Sequence, residues 1–446
     1  MAASNTSIRK VRDRCAAIDI GAEEHWTCVD PGLAEKHIRR FGAFTADLEE
    51  LRDWLLSLGV TSVAMEATGV YWRELYAVLE AAGIEVLLAD PRRTRNPRGR
   101  KTDMQDCQWI WELHAHGLLD GAYVPPEMVQ ELRTYLRHRR THVDAAGVSL
   151  KEMQRAYSLM NIKLQHVIAD LGGVSGMAIT EAIVKGQRDP AILAKLRDRR
   201  CQTPEATVIK ALRGNWKKAH LFLLKQALAD YQHHREAIAR CDAEIEHVLA
   251  AMPQRRQDGD GDDFARKRPT GKNDFAFDAQ QHVYRVTGVD LAAIDGIGPN
   301  AALSLIGEIG TDLTAWPTSK AFCCWLGLCP NPKRSGGKLL GNLPTTANRA
   351  SQIIREAAMG LRGNKLNPLS KQYNKIAIRR GSGKALRAIA HRLARIIYAL
   401  FTKRTAYDRD ALEPKVTQKK KASMIARLQA QAAALGYVLS QPPKPA

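Results

Sequence analysis

The chain has 446 residues, the length of about three ordinary domains, which excludes a single small module. Apolar residues make up 45% and charged residues 26%, and this balance of a globular protein excludes wholesale disorder and a collagen-like fibre. Lys and Arg number 67 against 47 Asp and Glu, and the net charge of +20 indicates a polyanionic partner, with nucleic acid as the first suspect.

Targeting signals and metal-binding cysteine motifs are missing from the sequence. No run of about 20 apolar residues occurs and no apolar segment follows the basic start, so we expect a cytoplasmic protein with no membrane partner. The eight cysteines form no CxxC pair, which argues against a zinc site and predicts reduced, mostly buried thiols. His114 and His116 lie two apart on a predicted helix and cannot share a face.

The first predicted domain, residues 13–125, alternates strands and helices, which indicates a mixed α/β sheet with covering helices. The predicted strands are CAAIDIG, a strand at His37 to Phe44 that pairs beside it, SVAME, and the buried strand IEVLLAD. The predicted helices run from Thr45 to Leu58 after a Thr cap, from Tyr71 to Ala82 and from Thr102 to His116. A basic loop is predicted from Pro91 to Lys101.

The rest of the chain is predicted to be mainly helical. Residues 126–252 form a helical region, 253–287 a polar linker, 288–405 a basic helical domain and 406–446 a Lys-rich tail. A coiled-coil seam with steps of three and four predicts a helical hairpin or a dimerisation arm, and we favour self-association over a helix packed on its own domain. The seam residues are Leu224, Ala227, Tyr231, His234, Ile238, Cys241, Ile245 and Val248.

Four carboxylates of the first domain fall where an α/β fold would bring them together. Asp19 and Glu66 end strands, and Asp103 and Asp106 lie three apart on one face at the start of a helix. Such a cluster is repulsive without cations, so it predicts a Mg²⁺ or Mn²⁺ site suited to phosphoryl transfer. Asp103 alone could be a charge favoured by the helix dipole, whereas Asp19, between two isoleucines, needs a partner.

A cationic loop immediately precedes the Asp103 and Asp106 pair. Its side chains could hold a phosphate backbone across the carboxylates. The loop contributes the predicted nucleic-acid-binding residues Arg92, Arg93, Arg95, Arg98, Arg100 and Lys101.

A Gly-Ile-Gly sequence in the basic domain precedes an apolar helix. Gly296 and Gly298 lie within IDGIGPNAALSLIGEIG, the style of a helix-hairpin-helix element whose backbone N-H groups bind a phosphate. An ordinary glycine turn is the alternative.

Ser335 lies in a Gly-rich loop, PNPKRSGGKLLG, among the cations Lys333, Arg334 and Lys338. Glycines let the backbone approach a phosphodiester closely, and neighbouring cations lower the cost of a serine alkoxide. Ser335 is therefore a candidate nucleophile. The alternative is a flexible basic loop that only contacts DNA.

Other nucleophiles have less support. The sequence contains no arrangement resembling a Ser-His-Asp triad or a GxSxG elbow, so acyl transfer is not indicated. Tyr398 and Tyr407 follow Arg-rich helical sequence and leave a tyrosine nucleophile open.

The motifs occur in an order that resembles the insertion sequence 110 family of transposases, the bridge-RNA-guided recombinases. They are IDIG, MEATGVYW, DPRRTRNPRGRKTDMQD, GIGPNAA and WLGLCPNPKRSGGKLLG, and the resemblance covers residues 13–125 and 288–405. Arg334 precedes a single serine here, where family members often have two neighbouring serines. Residues 165–285 match no motif.

The resemblance implies a RuvC-like, RNase H-type domain, a coiled-coil arm and a C-terminal transposase domain. Asp19, Glu66, Asp103 and Asp106 would be the catalytic metal ligands and Ser335 the catalytic nucleophile of a DNA recombinase. The carboxylates of one subunit would act with the serine of another in a dimer or tetramer. The partners would be donor and target DNA and a structured non-coding RNA that supplies sequence choice, in a cytoplasmic, nucleoid-associated enzyme.

Two other function classes remain open from the residues alone. A metal-dependent endonuclease of the Holliday-junction type would hydrolyse DNA while Ser335 only contacts it, and would form no covalent protein-DNA species. A non-catalytic nucleic-acid scaffold would show no metal-dependent cleavage.

Overall fold

The computed structural model divides the chain into two compact units, residues 1–124 and 125–446. The finer boundaries at 126, 253, 288 and 406 stay predictions. The residues that the structure describes are 10–67, 69–90, 94, 102–256, 271–330, 332–342, 348–364, 367–412 and 418–438.

The first unit is built on a mixed five-stranded sheet of order β3-β2-β1-β4-β5. β1 is antiparallel to β2 and parallel to β4, while β2 is antiparallel to β3 and β4 is parallel to β5. This confirms the predicted α/β class and is consistent with a RuvC-like domain. The strands are β1 (Cys15–Ile20), β2 (Glu24–Val29), β3 (Ile38–Gly42), β4 (Ser62–Glu66) and β5 (Glu85–Ala89).

Strand β2 is absent from the sequence prediction, and it changes one predicted pairing. The strand predicted at His37 to Phe44 lies beside β2, not beside β1. The cause is a tight turn in which the Gly21 N–H donates to the Glu24 carbonyl at 3.0 Å and folds β2 back onto β1. A Cβ at Gly21 would lie 2.7 Å from that oxygen, so only glycine fits this turn.

Helices cover both faces of the sheet. α1 (Thr45–Ser57) and α2 (Trp72–Ala81) bury their apolar stripes, including Leu51 and Leu75, against the Ile18 face. α3 (Asp103–Ala115) packs on the opposite face against Ala17 and Cys28. Each fully buried large aliphatic side chain contributes about 1.5–3 kcal/mol, so the two apolar faces hold the sheet between its helices.

The predicted Thr45 cap of α1 is displaced by one residue. Phe44 occupies the N-cap position, and its backbone N–H donates to Asp47 Oδ2 at 3.1 Å. A carboxylate in the first helical turn therefore satisfies the backbone N–H of the N-cap residue, which is one half of a capping box.

Two long antiparallel helices dominate the start of the second unit. All the predicted seam residues are buried except His234, which is half-buried with its Nδ1 3.1 Å from Nδ1 of His142. The seam packs against α4 of the same chain, and self-association stays a prediction. The helices are α4 (Glu127–Leu159), α5 (Val174–Val184), α6 (Pro190–Lys195), α7 (Glu205–Ala211) and α8 (Lys218–Ala251).

Residues 271–287 of the predicted linker are packed and partly helical. Phe275 and Phe277 are buried, and residues 279–287 form a helix that begins after the side-chain cap Asp278. Arg139 of α4 binds this segment by donating to the carbonyls of Asn273 and Asp274, each at 3.1 Å. The polar composition predicts a linker here, whereas two phenylalanines and a buried arginine fix the chain.

The remainder of the second unit is mainly helical, as predicted, with one unpredicted β-hairpin. Its core includes Ile306, Phe322, Ile354 and Leu393. Within the described ranges, no helix combines the length and apolar character needed to span a bilayer. The elements are α9 (Ala279–Thr287), α10 (Pro299–Ile309), α11 (Ser319–Trp325), β6 (Pro332–Ser335), β7 (Lys338–Asn342), α12 (Arg349–Gly360), α13 (Pro368–Arg380), α14 (Ser382–Lys403) and α15 (Gln418–Ala434).

Candidate functional site

Asp19 and Glu66 lie side by side at the carboxyl ends of β1 and β4. The two strands pair in parallel, in a register that makes these residues equivalent positions. Ala17 and Ala64, two residues earlier on each strand, pack in the apolar cluster beneath α3. Because side chains alternate along a strand, Asp19 and Glu66 face the same side of the sheet as α3. Both residues are half-buried.

The other two predicted carboxylates are carried by the first turn of α3. Thr102 caps the helix, Asp103 is exposed and Asp106 is half-buried. Cys107 and Ile110, four residues after each aspartate, are buried against the sheet. Since residues four apart share a helical face, both aspartates continue the sheet-facing stripe beyond the edge of the core.

The pKa of the Cys107 thiol is affected by the charges around this sheet edge. A hydrogen bond with the Cys28 thiol and burial raise the pKa of Cys107, and the negative charges of Asp19 and Asp106 raise it further. Coulomb interactions weaken with distance, so one thiol that is influenced by both aspartates lies near both. Asp19 of β1 and Asp106 of α3 thus both place negative charge near Cys107.

The donor chemistry of this region fits a hard divalent ion. Asp19, Glu66, Asp103 and Asp106 offer carboxylate oxygens, the ligands that Mg²⁺ and Mn²⁺ prefer. In the described part of the chain, however, no three His, Cys, Asp or Glu side chains are arranged so that they could hold an ion together. The shared face and donor type therefore support a metal site without forming a closed ligand set.

Thr94 is a further candidate site residue, which the sequence does not predict. Its Oγ1 donates to Glu66 Oε2 at 2.6 Å, and the residue is 4% exposed. A hydroxyl donor restrains the carboxylate oxygen that it contacts and so orients the carboxylate. The available signal is a single small polar residue that interrupts a cationic run. The predicted cations of that run, Arg92, Arg93, Arg95, Arg98, Arg100 and Lys101, lie outside the described residues.

Ser335 lies at the tip of the unpredicted hairpin. It ends β6 and pairs across the turn with Lys338 of β7, with Gly336 and Gly337 between them. These glycines have φ values of +55° and +77°, and a two-residue turn with two positive φ angles requires such residues. Ser335 and its neighbour Arg334 are exposed. Lys333 lies on β6. The tight turn therefore presents a serine between cations to solvent.

The Gly-Ile-Gly segment forms the turn before α10, as the helix-hairpin-helix pattern predicts. Gly296 has φ +84°, and a Cβ there would lie 2.6 Å from the carbonyl of Ala357 in α12. Gly298 is the N-cap of α10, and a Cβ there would meet nothing within 4 Å. Gly296 thus serves packing, while Gly298 leaves open space at a helix start. Phosphate binding by this turn stays a prediction.

Both candidate tyrosine hydroxyls are engaged in intramolecular hydrogen bonds. Tyr398 donates to the Trp316 carbonyl at 2.9 Å, and Tyr407 donates to Asp295 at 3.1 Å. Burial and the Asp295 charge raise the pKa of Tyr407, which disfavours its phenolate. The geometry gives a tyrosine nucleophile less support than the exposed serine.

His114 proves to be a core residue. It is fully buried, its Nε2 is 2.9 Å from Ser62 Oγ, and burial followed by the Arg12 charge lowers its pKa to about 4.

The prediction of free, mostly buried cysteines is confirmed, with five of the eight buried. Cys324 and Cys329, with Sγ atoms 2.7 Å apart, are outside the buried group.

Comparisons with known proteins match both units. Residues 16–157 match the model of an IS110 DEDD domain described as "Transposase", and residues 290–374 match "Transposase IS116/IS110/IS902 family", together just over half of the chain. The "Probable family 20 transposase" of Pseudomonas aeruginosa is 25% identical over 368 residues, which cover 80% of this chain and 89% of that relative.

Proposed function

The chain belongs to the IS110 family of transposases, and from this premise we propose that it cuts and rejoins DNA strands with a carboxylate-held divalent metal and Ser335 as nucleophile. The observation that carries the proposal is the placement of Asp19 and Glu66 as equivalent neighbours on the sheet face that α3 covers, since the first turn of α3 carries Asp103 and Asp106. A structural role would not require four carboxylates on one face, because like charges repel.

The four carboxylates, Asp19, Glu66, Asp103 and Asp106, are the residues that would hold Mg²⁺ or Mn²⁺. When bound, such an ion polarises a phosphoryl oxygen and stabilises charge on the leaving oxygen. The Thr94 hydroxyl orients Glu66 toward this role. The half-buried setting of Asp19 and Glu66 limits competing water, which strengthens their interaction with a cation.

The role proposed for Ser335 follows from its exposure on a tight turn between cations. Its Oγ attacks the phosphorus of a phosphodiester, a serine–phosphate bond forms, and the bond to one sugar oxygen breaks. The serine proton ends on that leaving oxygen. Attack by a hydroxyl of the second strand then reverses the exchange and frees Ser335. Arg334 and Lys338 offset the negative charge of the bound phosphate.

The choice of DNA sequence is proposed to lie with a structured RNA. The net charge of +20 suits a protein that binds nucleic-acid backbone, and no zinc-finger spacing occurs in the sequence. The composite use of carboxylates and serine from different subunits, implied by the family resemblance, belongs to the same proposal. RNA that copurifies with the protein and pairs with the DNA ends of the mobile element would support it.

The decisive experiment compares Ser335→Ala with Ser382→Ala. Ser382 is also exposed and flanked by glycine, so it is a matched control. With element-end DNA, copurified RNA and Mg²⁺, we expect Ser335→Ala to lose the covalent protein-DNA adduct and strand exchange, and the control to retain both. Cleavage by Ser335→Ala at a near wild-type rate would establish a hydrolytic endonuclease instead.

The metal half of the proposal has its own test. Asp19→Asn should remove Mg²⁺-dependent cleavage while leaving DNA binding nearly unchanged, because it removes charge from the carboxylate group alone. Asp13→Asn removes an exposed charge from the same unit and serves as the control. Equal cleavage by both variants would refute a metal role for Asp19, and no cleavage by the wild-type protein under any of these conditions would favour a scaffold.

A further inference from the structure

One segment of the second unit is cationic without any acidic residue. Residues 357–407 contain twelve Lys and Arg and no Asp or Glu, so they contribute +12 to the net charge of +20. A face that is merely solvated usually mixes both signs, because like charges at helical spacing repel. A segment of one sign is instead typical of a surface that meets a polyanion.

Four of these cations lie along the exposed side of helix α14, and we call this row of side chains the track. Its apolar side, with Ile389, Leu393 and Ile397, is fully buried, while Lys384, Arg387, Arg395 and Lys403 are exposed on the other side. At a rise of 1.5 Å per residue, Lys384 and Lys403 are about 28 Å apart along the helix. That length matches about eight nucleotides of a duplex strand, which advances about 3.4 Å per phosphate.

The C-terminal half of the track borders a cleft of about 730 Å³. Arg392, Arg395 and Lys403 line it together with the polar side chains of Gln372 and Thr402. Among the described residues that line this cleft, none is Asp or Glu. A concave surface lined by one sign of charge concentrates counter-charged ligands more strongly than a flat one.

Two of the cleft's side chains are held in place by hydrogen bonds. Arg392 donates from Nη1 to Gln372 Oε1 of α13 at 2.8 Å. Tyr398 donates to the Trp316 carbonyl at 2.9 Å, which fixes its ring beside the cleft. Burial and the Arg395 charge lower the pKa of His391, so this cleft residue adds no positive charge at neutral pH. The positive charge of the cleft therefore comes from Arg392, Arg395 and Lys403.

We propose that the α14 cleft and track bind the phosphodiester backbone of a nucleic-acid strand, at a site separate from the serine hairpin. One hydrogen-bonded guanidinium group, Arg392, and the exposed arginines and lysines at this spacing suit phosphates and carry no base readout. The proposal depends on the proposed function only for the identity of the polyanion. Duplex DNA and structured RNA share this backbone chemistry, and the experiment separates them.

The experiment removes two exposed cations from the cleft and two from elsewhere in the same unit. The cleft variant is Arg395→Gln with Lys403→Gln. The control is Lys151→Gln with Arg155→Gln on α4, where both side chains are exposed. Melting temperatures of both variants verify folding. Binding of labelled duplex DNA and of a labelled RNA hairpin is measured between about 50 and 200 mM salt.

We expect the cleft variant to weaken binding about tenfold or more at 0.1 M salt and to reduce the slope of log K against log salt by roughly 1 to 2, since each phosphate contact contributes about 0.9. An effect on DNA alone, RNA alone or both supports the site and identifies its ligand. Equal behaviour of cleft and control variants on both probes overturns it. A Ser335-dependent adduct that persists in the cleft variant would show that the proposed function survives such a failure.

Discussion

Thr94 donates a hydrogen bond of 2.6 Å to Oε2 of Glu66, from a position that is 4% exposed. This bond links Thr94 to the end of β4. Because a donor on one oxygen restricts the rotation of the carboxylate, Glu66 is oriented before any ligand arrives. In the proposed metal site, Thr94 is thus a positioning residue.

Replacing Thr94 by Val should weaken divalent-metal binding about 10–100-fold, the usual effect of losing a residue that orients a metal ligand. The measurement is the Mg²⁺ concentration that gives half-maximal cleavage, together with the Mg²⁺-dependent rise in melting temperature. Thr94→Ser should restore both. Thr141→Val on α4 is the control, since Thr141 is exposed and bonds only within its helix. An unchanged Mg²⁺ dependence in Thr94→Val would remove the positioning role.

The Gly336–Gly337 turn predicts a second, purely conformational effect. Gly337 has φ +77°, and a Cβ there would meet nothing within 4 Å, so a substitution changes only the backbone preference. Gly337→Val should reduce covalent adduct formation at least about tenfold, because a β-branched residue disfavours this region by more than about 1–2 kcal/mol. Gly337→Asn should keep most activity, since Asn tolerates positive φ.

The global melting temperature should stay near the wild-type value in both turn variants, as the hairpin is exposed. Gel analysis of the adduct under denaturing conditions measures the effect. Comparable adduct yields from the Val and Asn variants would show that the turn geometry does not position Ser335.

The sequence predicts the first unit well where elements are long and periodic. Helices α1 to α3 and strands β1, β4 and β5 appear as predicted, because their apolar stripes and alternation are local signals. Strand β2 and the β6–β7 hairpin escape prediction. β2 depends on a turn that requires Gly21, and the hairpin depends on two positive φ angles. Neither shows the clear apolar alternation that identifies a strand.

In the candidate site too, local sequence patterns predict some features, whereas others depend on tertiary contacts. The strand-end positions of Asp19 and Glu66 are predictable because they end apolar runs, and the shared helical turn of Asp103 and Asp106 because of their spacing, while their role as metal ligands stays a prediction. The contact of Thr94 with Glu66 is not predictable, since it joins residues 28 apart through a loop with no periodicity. The packing of the segment around Phe275 is not predictable from the sequence for a similar reason. Its polar flanks indicate a linker, and only the tertiary contact with Arg139 shows that it packs.

His114 predicts how stability depends on pH. Its pKa is lowered to about 4 in the folded state, from 6.5, so the unfolded chain binds more protons between these values. The free energy of unfolding should therefore fall as the pH drops from about 6.5 to about 4, by about 3 kcal/mol from this residue, and its contribution should level off below that range.

Chemical denaturation at pH 7 and pH 5 measures this effect as the difference between wild type and His114→Gln. The variant cannot titrate, so it should lose less stability on acidification than the wild-type protein. His116→Gln is the control, because His116 is half-buried in the same unit and its ring Nδ1 contacts a backbone carbonyl of its own helix. Parallel pH profiles for wild type and His114→Gln would contradict the assignment.

The ion pair of Arg139 and Asp242 joins α4 to α8, and both side chains are nine-tenths buried. Asp242 also accepts from the Ala276 N–H at 3.2 Å, and the Arg139 guanidinium lies 4.0 Å from the Phe275 ring centroid. Removing one partner leaves the other charge buried without compensation. Arg139→Met should lower the free energy of unfolding by about 3–5 kcal/mol, whereas the double variant with Asp242→Leu should recover part of that loss.

The matched control is the exposed pair of Arg140 and Asp144 on α4, whose disruption by Arg140→Met should cost only about 0.3–0.5 kcal/mol. Urea denaturation of the four proteins, with equal m-values as the check on two-state behaviour, gives the comparison. Arg139 also donates to the carbonyls of Asn273 and Asp274, so recovery in the double variant should remain incomplete. A loss no larger for Arg139→Met than for Arg140→Met would show that the buried pair does not hold the two helices together.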